Sequence, residues 1–199
     1  MSYVRDTQEF FEARAAGWED RFPDDDSLFE AAVAELGPIA GSRVLDVGCG
    51  TGRALPFIRN AVGLTGLVVG ADLTPGMINE AARRGRGSQA QLLVADVGRL
   101  PFSATQFDVV FAAGLLPHLI DPLSSLMELA RVTARGGELA IFHPIGRVAL
   151  AARHGGTPSD DDTLAPARLR YFLDASGWAV EHIDDGVQRY LALASRTSD

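Results

Sequence analysis

The sequence contains no lysine, because every one of its 18 basic residues is an arginine. A mechanism that uses a lysine Schiff base or a lysine general base is therefore excluded. Cys49 is the sole cysteine, so no disulfide can form within the chain, which fits the cytosol without requiring it. No apolar run reaches the ~18 residues of a membrane span. The stretch 1–12 lacks the basic start and apolar segment of a secretory signal. We therefore expect a cytoplasmic protein without a membrane partner.

The charge balance is acidic, with 26 acidic against 18 basic residues and a net charge of −8. Such a balance does not favour a nucleic-acid partner. The hydrophobic fraction of 47% and the charged fraction of 22% are typical of a globular protein. A chain of 199 residues without repeats is long enough for one domain with a substantial core. We expect a single domain over 1–199, acting as a monomer or a homodimer.

One stretch, 44–52, organises the sequence and reads Val-Leu-Asp-Val-Gly-Cys-Gly-Thr-Gly. Its apolar start predicts a buried parallel strand. Three glycines within five residues then predict a turn with positive φ angles, where a ligand can approach the backbone closely. Asp46 places a carboxylate near the end of this strand, where open α/β sheets bind ligands. The stretch therefore predicts a nucleotide-type site.

Strand and helix patterns alternate after this turn. Buried strands are predicted at 67–71, 91–95, 107–112 and 138–142, and helices at 5–20, 27–36, 121–133 and 166–176, with a further helix that starts at Thr74-Pro75. Asp72 and Asp96 follow the second and third strands, and a carboxylate at Asp72 can accept both hydroxyls of a ribose. A hairpin is predicted from 178–183 and 190–194. This order predicts an α/β fold with a mostly parallel sheet, and the stretch 145–165 is expected to be its longest irregular loop.

The glycine pattern is GxGxG, and Arg53 stands where the third glycine of a dinucleotide fingerprint would follow. In a dinucleotide fingerprint the three glycines serve the turn, the pyrophosphate and the packing of the helix, and this sequence departs from that pattern at its third position. Arg53 and Asp46 therefore argue against the alternative of a nicotinamide-dependent oxidoreductase.

These motifs together identify a resemblance to a family. Over about residues 40–195 the chain resembles the class I S-adenosylmethionine-dependent methyltransferases, particularly the group with the ubiquinone and menaquinone C-methyltransferases. The segments that carry the resemblance are 44–52, 70–73 with Met77, 94–97 with 100–102, 107–118, and 129–132 with 136–137. The resemblance implies a Rossmann-like three-layer sandwich with a seven-stranded, mostly parallel sheet and an antiparallel C-terminal strand.

The resemblance also implies a role for each matching residue in binding S-adenosylmethionine. The methionine part is expected at Asp46, Gly48, Cys49, Gly50, Ala112 and Ala113, the ribose at Asp72, and the adenine at Leu73, Met77, Asp96 and Val97. No metal site is expected. We expect Cys49 to be a small buried filler in the turn and not a nucleophile.

Four residues are candidates for the acceptor side. Phe11 and Trp18 belong to the aromatic N-terminal segment, which either packs on the domain or forms a flap over the ligand; we expect residues 1–36 to act as a substrate cap. His118 is a candidate base or substrate contact, with a loop histidine bonded to the main chain as the alternative. His143 is a candidate pocket wall, and His154 is expected to be exposed.

The predicted activity is methyl transfer from S-adenosylmethionine to a small-molecule acceptor, with S-adenosylhomocysteine as the product. The acceptor atom (oxygen, nitrogen or carbon) stays open, and a small apolar or aromatic acceptor is expected. The segment 112–115 reads Ala-Ala-Gly-Leu and not Asn-Pro-Pro-Tyr, so nucleobase methylation in that style is not expected. A protein that binds the cofactor without catalysis is the second hypothesis, and the nicotinamide-dependent oxidoreductase is the third.

Overall fold

The computed structural model describes residues 2–21, 24–37, 40–153 and 155–198. Its centre is a seven-stranded sheet with the order β3-β2-β1-β4-β5-β7-β6. The strands are β1 Arg43–Val47, β2 Leu67–Asp72, β3 Gln91–Val94, β4 Phe107–Ala113, β5 Thr133–His143, β6 Trp178–Asp185 and β7 Tyr190–Arg196. The helices are α1 Ser2–Glu12, α2 Asp26–Leu36, α3 Leu55–Val62, α4 Pro75–Arg83, α5 Pro122–Val132, α6 Arg147–Arg153 and α7 Pro166–Ala175.

Strand directions confirm the predicted fold class. The pairs β1–β2, β2–β3, β1–β4 and β4–β5 are parallel. The last strand, β7, runs antiparallel to both of its neighbours, β5 and β6. The strand order reverses between β1 and β4, and in open α/β sheets this is the place where ligands bind.

Two apolar layers cover the two faces of the sheet. Alternate residues of one strand enter different layers, as Val110 and Phe111 of β4 show. On one face α2 and α3 pack against the strands, and on the other face α5 and α7 do so. Burial on both faces explains why the strands read as continuous apolar runs in the sequence.

The N-terminal segment differs from the single helix predicted over 5–20. The α-helix ends at Glu12, and the chain continues through two 3₁₀ turns at Ala15–Gly17 and Glu19–Arg21. The bend between α1 and these turns brings the ring of Phe11 and the ring of Trp18 to a centroid distance of 5.4 Å, in a tilted edge-to-face geometry. Contacts with the rest of the domain thus override the helical pattern.

Two other predictions were wrong in their boundaries. The stretch 145–165 is not irregular throughout, because Arg147–Arg153 forms α6 from residues with good helix propensity. Strand β5 begins at Thr133, five residues before the predicted start at 138, and passes through Gly136 and Gly137. A Cβ at Gly137 would lie 2.7 Å from the Asp108 carbonyl oxygen, so the close approach of the β5 backbone to β4 requires glycine at this position.

Candidate functional site

A cavity of about 510 Å³ opens at the carboxyl ends of β1 to β5. It contains the glycine turn, the ends of β2 and β3, the loop after β4 and the residues that follow β5. Helices α1 and α6 contribute the residues on its outer side. Its volume lies within the range of small-molecule and cofactor sites.

The glycine turn forms the floor of this cavity. Gly48, Gly50 and Gly52 all have positive φ angles, of 66°, 55° and 79°, as predicted. A Cβ at Gly48 would lie 2.9 Å from Leu115 Cδ1, so this position has no space for a side chain. A Cβ at Gly50 would meet no atom within 4 Å, so the backbone there faces open space. The turn thus presents bare main chain to the cavity.

Asp72 joins the glycine turn to the start of α4. Its Oδ2 accepts a hydrogen bond from the Gly50 amide at 2.9 Å, and its Oδ1 accepts one from the Thr74 amide at 2.8 Å. Burial raises the pKa of this carboxyl, and the two amide donors oppose that shift. A carboxylate offers about four lone-pair sites, so this side chain has capacity for further donors.

Asp46 lies beneath the same turn and is only 1% exposed. Neither carboxylate oxygen has a hydrogen-bond partner among the residues that the structure describes. Burial, followed by the negative charge of Asp72, raises the pKa of Asp46 to about 8. A buried carboxylate without a partner is costly, and a cationic ligand removes that cost.

Cys49 is a buried filler, as its environment indicates. Its amide donates to the Ala71 carbonyl at 3.0 Å and thereby holds the turn against β2. Burial and the nearby charges of Asp46 and Asp72 raise the pKa of the thiol well above its ordinary value. A thiol with a raised pKa is a poor nucleophile at neutral pH.

The structure brings together ten of the predicted cofactor residues in the cavity wall. They are Asp46, Gly48, Cys49, Gly50, Asp72, Leu73, Met77, Asp96, Val97 and Ala113. Ala112 is the exception, because its side chain is fully buried in the apolar layer that contains α5. Asp96 is exposed, and its Oδ1 accepts a hydrogen bond from the Gly98 amide at 2.9 Å.

The four predicted acceptor-side residues also line the cavity. Phe11, Trp18, His118 and His143 all contribute to its wall. The rings of Phe11 and His118 meet edge to face at 5.0 Å. The His143 Nδ1 accepts a hydrogen bond from the Ile145 amide at 3.2 Å, which leaves the proton of the neutral ring on Nε2. His154 lies outside the described residues.

Polar contacts fasten the N-terminal segment over the site. Gln8 Nε2 donates to the Leu73 carbonyl at 3.1 Å, and Glu12 Oε2 accepts from the Gly76 amide at 2.8 Å. Further along, Glu19 Oε1 accepts from the Thr51 hydroxyl of the glycine turn at 2.7 Å. The segment therefore packs on the domain and at the same time presents aromatic rings to the cavity, so the two alternatives for it are compatible.

Sequence reasoning missed a charged part of the wall. The run Asp24-Asp25-Asp26 before α2 is typical of a solvated turn that caps a helix, yet the Asp25 side chain makes no cap hydrogen bond and lines the cavity. Its Oδ2 lies 3.5 Å from Arg53 Nη1. Arg153, on the unpredicted helix α6, lines the cavity as well. The sequence shows Arg53 next to the turn, but the burial of its guanidinium, and hence its need for a counter-charge, is visible only in the folded structure.

Two negative findings concern only the residues that the structure describes. Within the ranges given above, no group of three or more histidine, cysteine, aspartate or glutamate side chains could hold a metal ion. Among the helices of the same ranges, none is long and apolar enough to cross a bilayer.

Comparisons with known proteins assign the family. A family described as "Methyltransferase domain" matches residues 45–141. The aklanonic acid methyltransferase DauC of Streptomyces sp. strain C5 is 37% identical over 165 residues, which cover 81% of this chain and 72% of that protein. The demethylmenaquinone methyltransferase of Clavibacter sepedonicus is 34% identical over 169 residues, which cover 83% of this chain and 66% of that protein.

Among solved structures, the fold is similar to that of a putative methyltransferase in complex with the Haloferax volcanii Trm112 methyltransferase activator. The TM-score is 0.77 at 21% identity, with 94% of this chain and 97% of that chain covered. At this identity the likeness concerns the fold alone. The matching domain and the identity to DauC, together with the strand order and the glycine turn, show that the chain belongs to the class I S-adenosylmethionine-dependent methyltransferases.

Proposed function

We propose that the protein transfers a methyl group from S-adenosylmethionine to a small-molecule acceptor. The observation that carries this proposal is the buried Asp46 carboxylate, which has no partner among the described residues and faces a cavity. S-adenosylmethionine carries a sulfonium and an ammonium group, and either charge would compensate the carboxylate. The open space in front of Gly50 leaves room for the ligand to contact the main chain.

The other cofactor contacts follow from the same wall. We infer that Asp72 holds the ribose hydroxyls, because its two amide hydrogen bonds leave acceptor sites on the same carboxylate. Leu73 and Met77 would pack against the adenine, and Asp96 with the Val97 amide would bind its edge. Ala113 would face the methionine part, whereas Ala112 supports the strand from the core.

The remaining space suits a small and largely apolar acceptor. S-adenosylmethionine has about 27 non-hydrogen atoms and would take most of a 510 Å³ cavity. The wall left for the acceptor includes the rings of Phe11 and Trp18, which favour a flat, aromatic molecule. DauC and the demethylmenaquinone methyltransferase are named for ring-bearing acceptors, which agrees with this class of substrate.

Methyl transfer requires few catalytic groups from the protein. The bound cofactor supplies an already activated methyl group. The side chains align the acceptor and exclude water, and alignment can contribute ~7–11 kcal/mol to catalysis in favourable cases. A base is needed only for an acceptor that must lose a proton, and His118 is our candidate for that role. The N-terminal segment, fastened through Gln8, Glu12 and Glu19, acts as the cap.

Binding of S-adenosylhomocysteine, measured by calorimetry, is the first test. We expect the wild-type protein to bind it, and Asp46→Asn and Asp72→Asn to bind at least about tenfold more weakly. Asp174→Asn, an exposed substitution on α7, is the matched control and should bind as the wild type does. Failure of the wild-type protein to bind S-adenosylmethionine or S-adenosylhomocysteine would refute the proposal.

Transfer of a labelled methyl group to a panel of phenols, quinols and polycyclic enols is the second test. Labelled product that depends on the acceptor supports catalysis. Cofactor binding without any transfer across such a panel and across cell extracts would instead favour the non-catalytic alternative. The nicotinamide alternative is set aside, because the chain belongs to the methyltransferase family.

A further inference from the structure

The cavity carries a charged cluster that no cofactor contact accounts for. Asp25, Arg53 and Arg153 come from three separate elements, and all three line the cavity. Arg53 follows the glycine turn, Asp25 precedes α2, and Arg153 ends α6. The Arg53 side chain is only 11% exposed, and that of Asp25 is 18% exposed. Arg53 and Asp25 are therefore mostly enclosed charges in the wall of a binding site, whereas Arg153 is exposed.

This cluster has a neighbour on β5 as well as on the glycine turn. Phe29 follows Asp25 by four residues and therefore lies one helical turn away on the same face of α2. The ring of Phe29 packs against that of Phe142 of β5 at 5.1 Å. His143, the next residue, lines the cavity. Asp25 also lies 3.5 Å from Arg53, which follows the glycine turn after β1, so the cluster lies between that turn and the end of β5.

Asp26 provides a natural comparison with Asp25. Both carboxylates lie near Arg53, since Asp26 Oδ1 is 3.1 Å from its Nε. The side chain of Asp26, however, is 64% exposed and does not line the cavity. Both Asp25 and Asp26 therefore hold Arg53 in place, but of the two only Asp25 lines the cavity.

The cluster places two guanidinium groups near three carboxylates, because Asp24 also acts on Asp25. Burial raises the pKa of Asp25, while Arg53 and Arg153 lower it and Asp24 and Asp26 raise it. The Asp25 carboxylate can accept a hydrogen bond from a ligand in the cavity, and a hydroxyl group is a donor that needs no counter-charge of its own.

We propose that Asp25 accepts a hydrogen bond from a hydroxyl group of the methyl acceptor and so selects hydroxylated acceptors over their ethers. The inference rests on the proposed function and names the acceptor chemistry of that site. Asp25 is then a specificity-determining residue, and Arg53 is a positioning residue that holds its carboxylate. The Asp25 side chain makes no cap hydrogen bond at the start of α2, so it is not committed to that role.

The test compares 1-naphthol with 1-methoxynaphthalene, which share the ring system and differ in the donor. Binding is measured by calorimetry with saturating S-adenosylhomocysteine, for the wild-type protein, Asp25→Asn and Asp26→Asn. We expect the wild-type protein and Asp26→Asn to prefer 1-naphthol by about tenfold, and Asp25→Asn to lose most of that preference. Affinity for S-adenosylhomocysteine should be equal in all three and shows that each variant is folded.

The outcomes separate this inference from the proposed function. If S-adenosylhomocysteine binds but Asp25→Asn keeps the preference for 1-naphthol, the role of Asp25 is refuted and the methyltransferase proposal stands. The same conclusion follows if neither naphthalene binds to the wild-type protein, or if the two bind equally. If S-adenosylhomocysteine itself does not bind, the proposed function fails, and the inference about Asp25 fails with it.

Discussion

Replacement of Asp46 by asparagine preserves the shape of the side chain and removes its charge. We expect this change to stabilise the ligand-free protein at high pH and to weaken cofactor binding. The two effects have one cause, namely a buried carboxylate that has no partner among the described residues until a cation binds. Their opposite signs distinguish this explanation from a general loss of structure.

The magnitude follows from the pKa of Asp46, which is about 8 in the folded protein against an ordinary value of 3.8. A carboxyl with a raised pKa favours the folded state in its protonated form. Its contribution is complete below pH 3.8 and is lost as the pH rises through about 8. One pKa unit corresponds to about 1.36 kcal/mol, so the free energy of unfolding should fall by about 4 kcal/mol between pH 5 and pH 9 on account of this group.

Urea denaturation of the ligand-free protein at pH 5 and pH 9 measures this effect. The difference in unfolding free energy between Asp46→Asn and the wild-type protein should shift by about 4 kcal/mol in favour of the variant across that range. Asp174→Asn should show the pH dependence of the wild-type protein. Equal pH dependence in the wild-type protein and Asp46→Asn would refute the reasoning, because Asp46 would then be ionised without cost.

Cofactor binding supplies an independent measurement of the same group. At pH 7 about nine tenths of the ligand-free protein should carry a proton on Asp46, and a bound cation should expel it. Calorimetry in buffers with different ionisation enthalpies counts released protons. We expect the wild-type protein to release about 0.9 proton more than Asp46→Asn on binding S-adenosylmethionine. Equal proton release by the two proteins would contradict the assignment of Asp46 to the cationic part of the cofactor.

Three further predictions concern other parts of the site and core. His118→Ala should lower turnover by at least about tenfold and leave the affinity for the cofactor unchanged. The control is His182→Ala, a substitution at an exposed position, which should not lower turnover. Equal turnover of the two variants would show that His118 has a structural role only. Glu19→Ala should loosen the N-terminal segment, because it removes the acceptor of the Thr51 hydroxyl and the ion pair with Arg84; limited proteolysis with and without S-adenosylhomocysteine would detect this as faster cleavage near that segment. Tyr190→Phe should leave the free energy of unfolding unchanged or raise it by about 1 kcal/mol, because the buried hydroxyl has no hydrogen bond within the described residues; clear destabilisation in urea would contradict this.

Most of the fold and the floor of the cavity could be predicted because their signals are local. A buried parallel strand that runs into glycines has few other structures available, and the positive φ angles of Gly48, Gly50 and Gly52 agree with the residue type. The carboxylates at Asp46, Asp72 and Asp96 lie at or just after the carboxyl ends of three neighbouring strands, so one edge of the sheet gathers them. Strand pairing thus brings carboxylates that are far apart in the sequence together in one site.

The outer wall could not be predicted because it depends on tertiary contacts. The pattern of the three aspartates before α2 indicates a solvated cap, and only the position of Arg53 turns Asp25 towards the cavity. Helix α6 has seven residues and no cap signal, so a loop was the more obvious expectation. Ala112 is different, since the alternation along β4 would have shown that it and Ala113 point to opposite faces.

The position of β7 has a consequence for how this domain is made. Tyr190–Arg196 is the last strand along the chain, yet it lies between β5 and β6 in the interior of the sheet. On the ribosome, β5 can pair with β4 long before β7, its partner on the other side, has been synthesised. Until then its outer edge, and the edge of β6, present unpaired amide and carbonyl groups. Completion of the sheet is therefore a late event of synthesis, and a nascent chain that stops before residue 190 exposes two edges that favour aggregation.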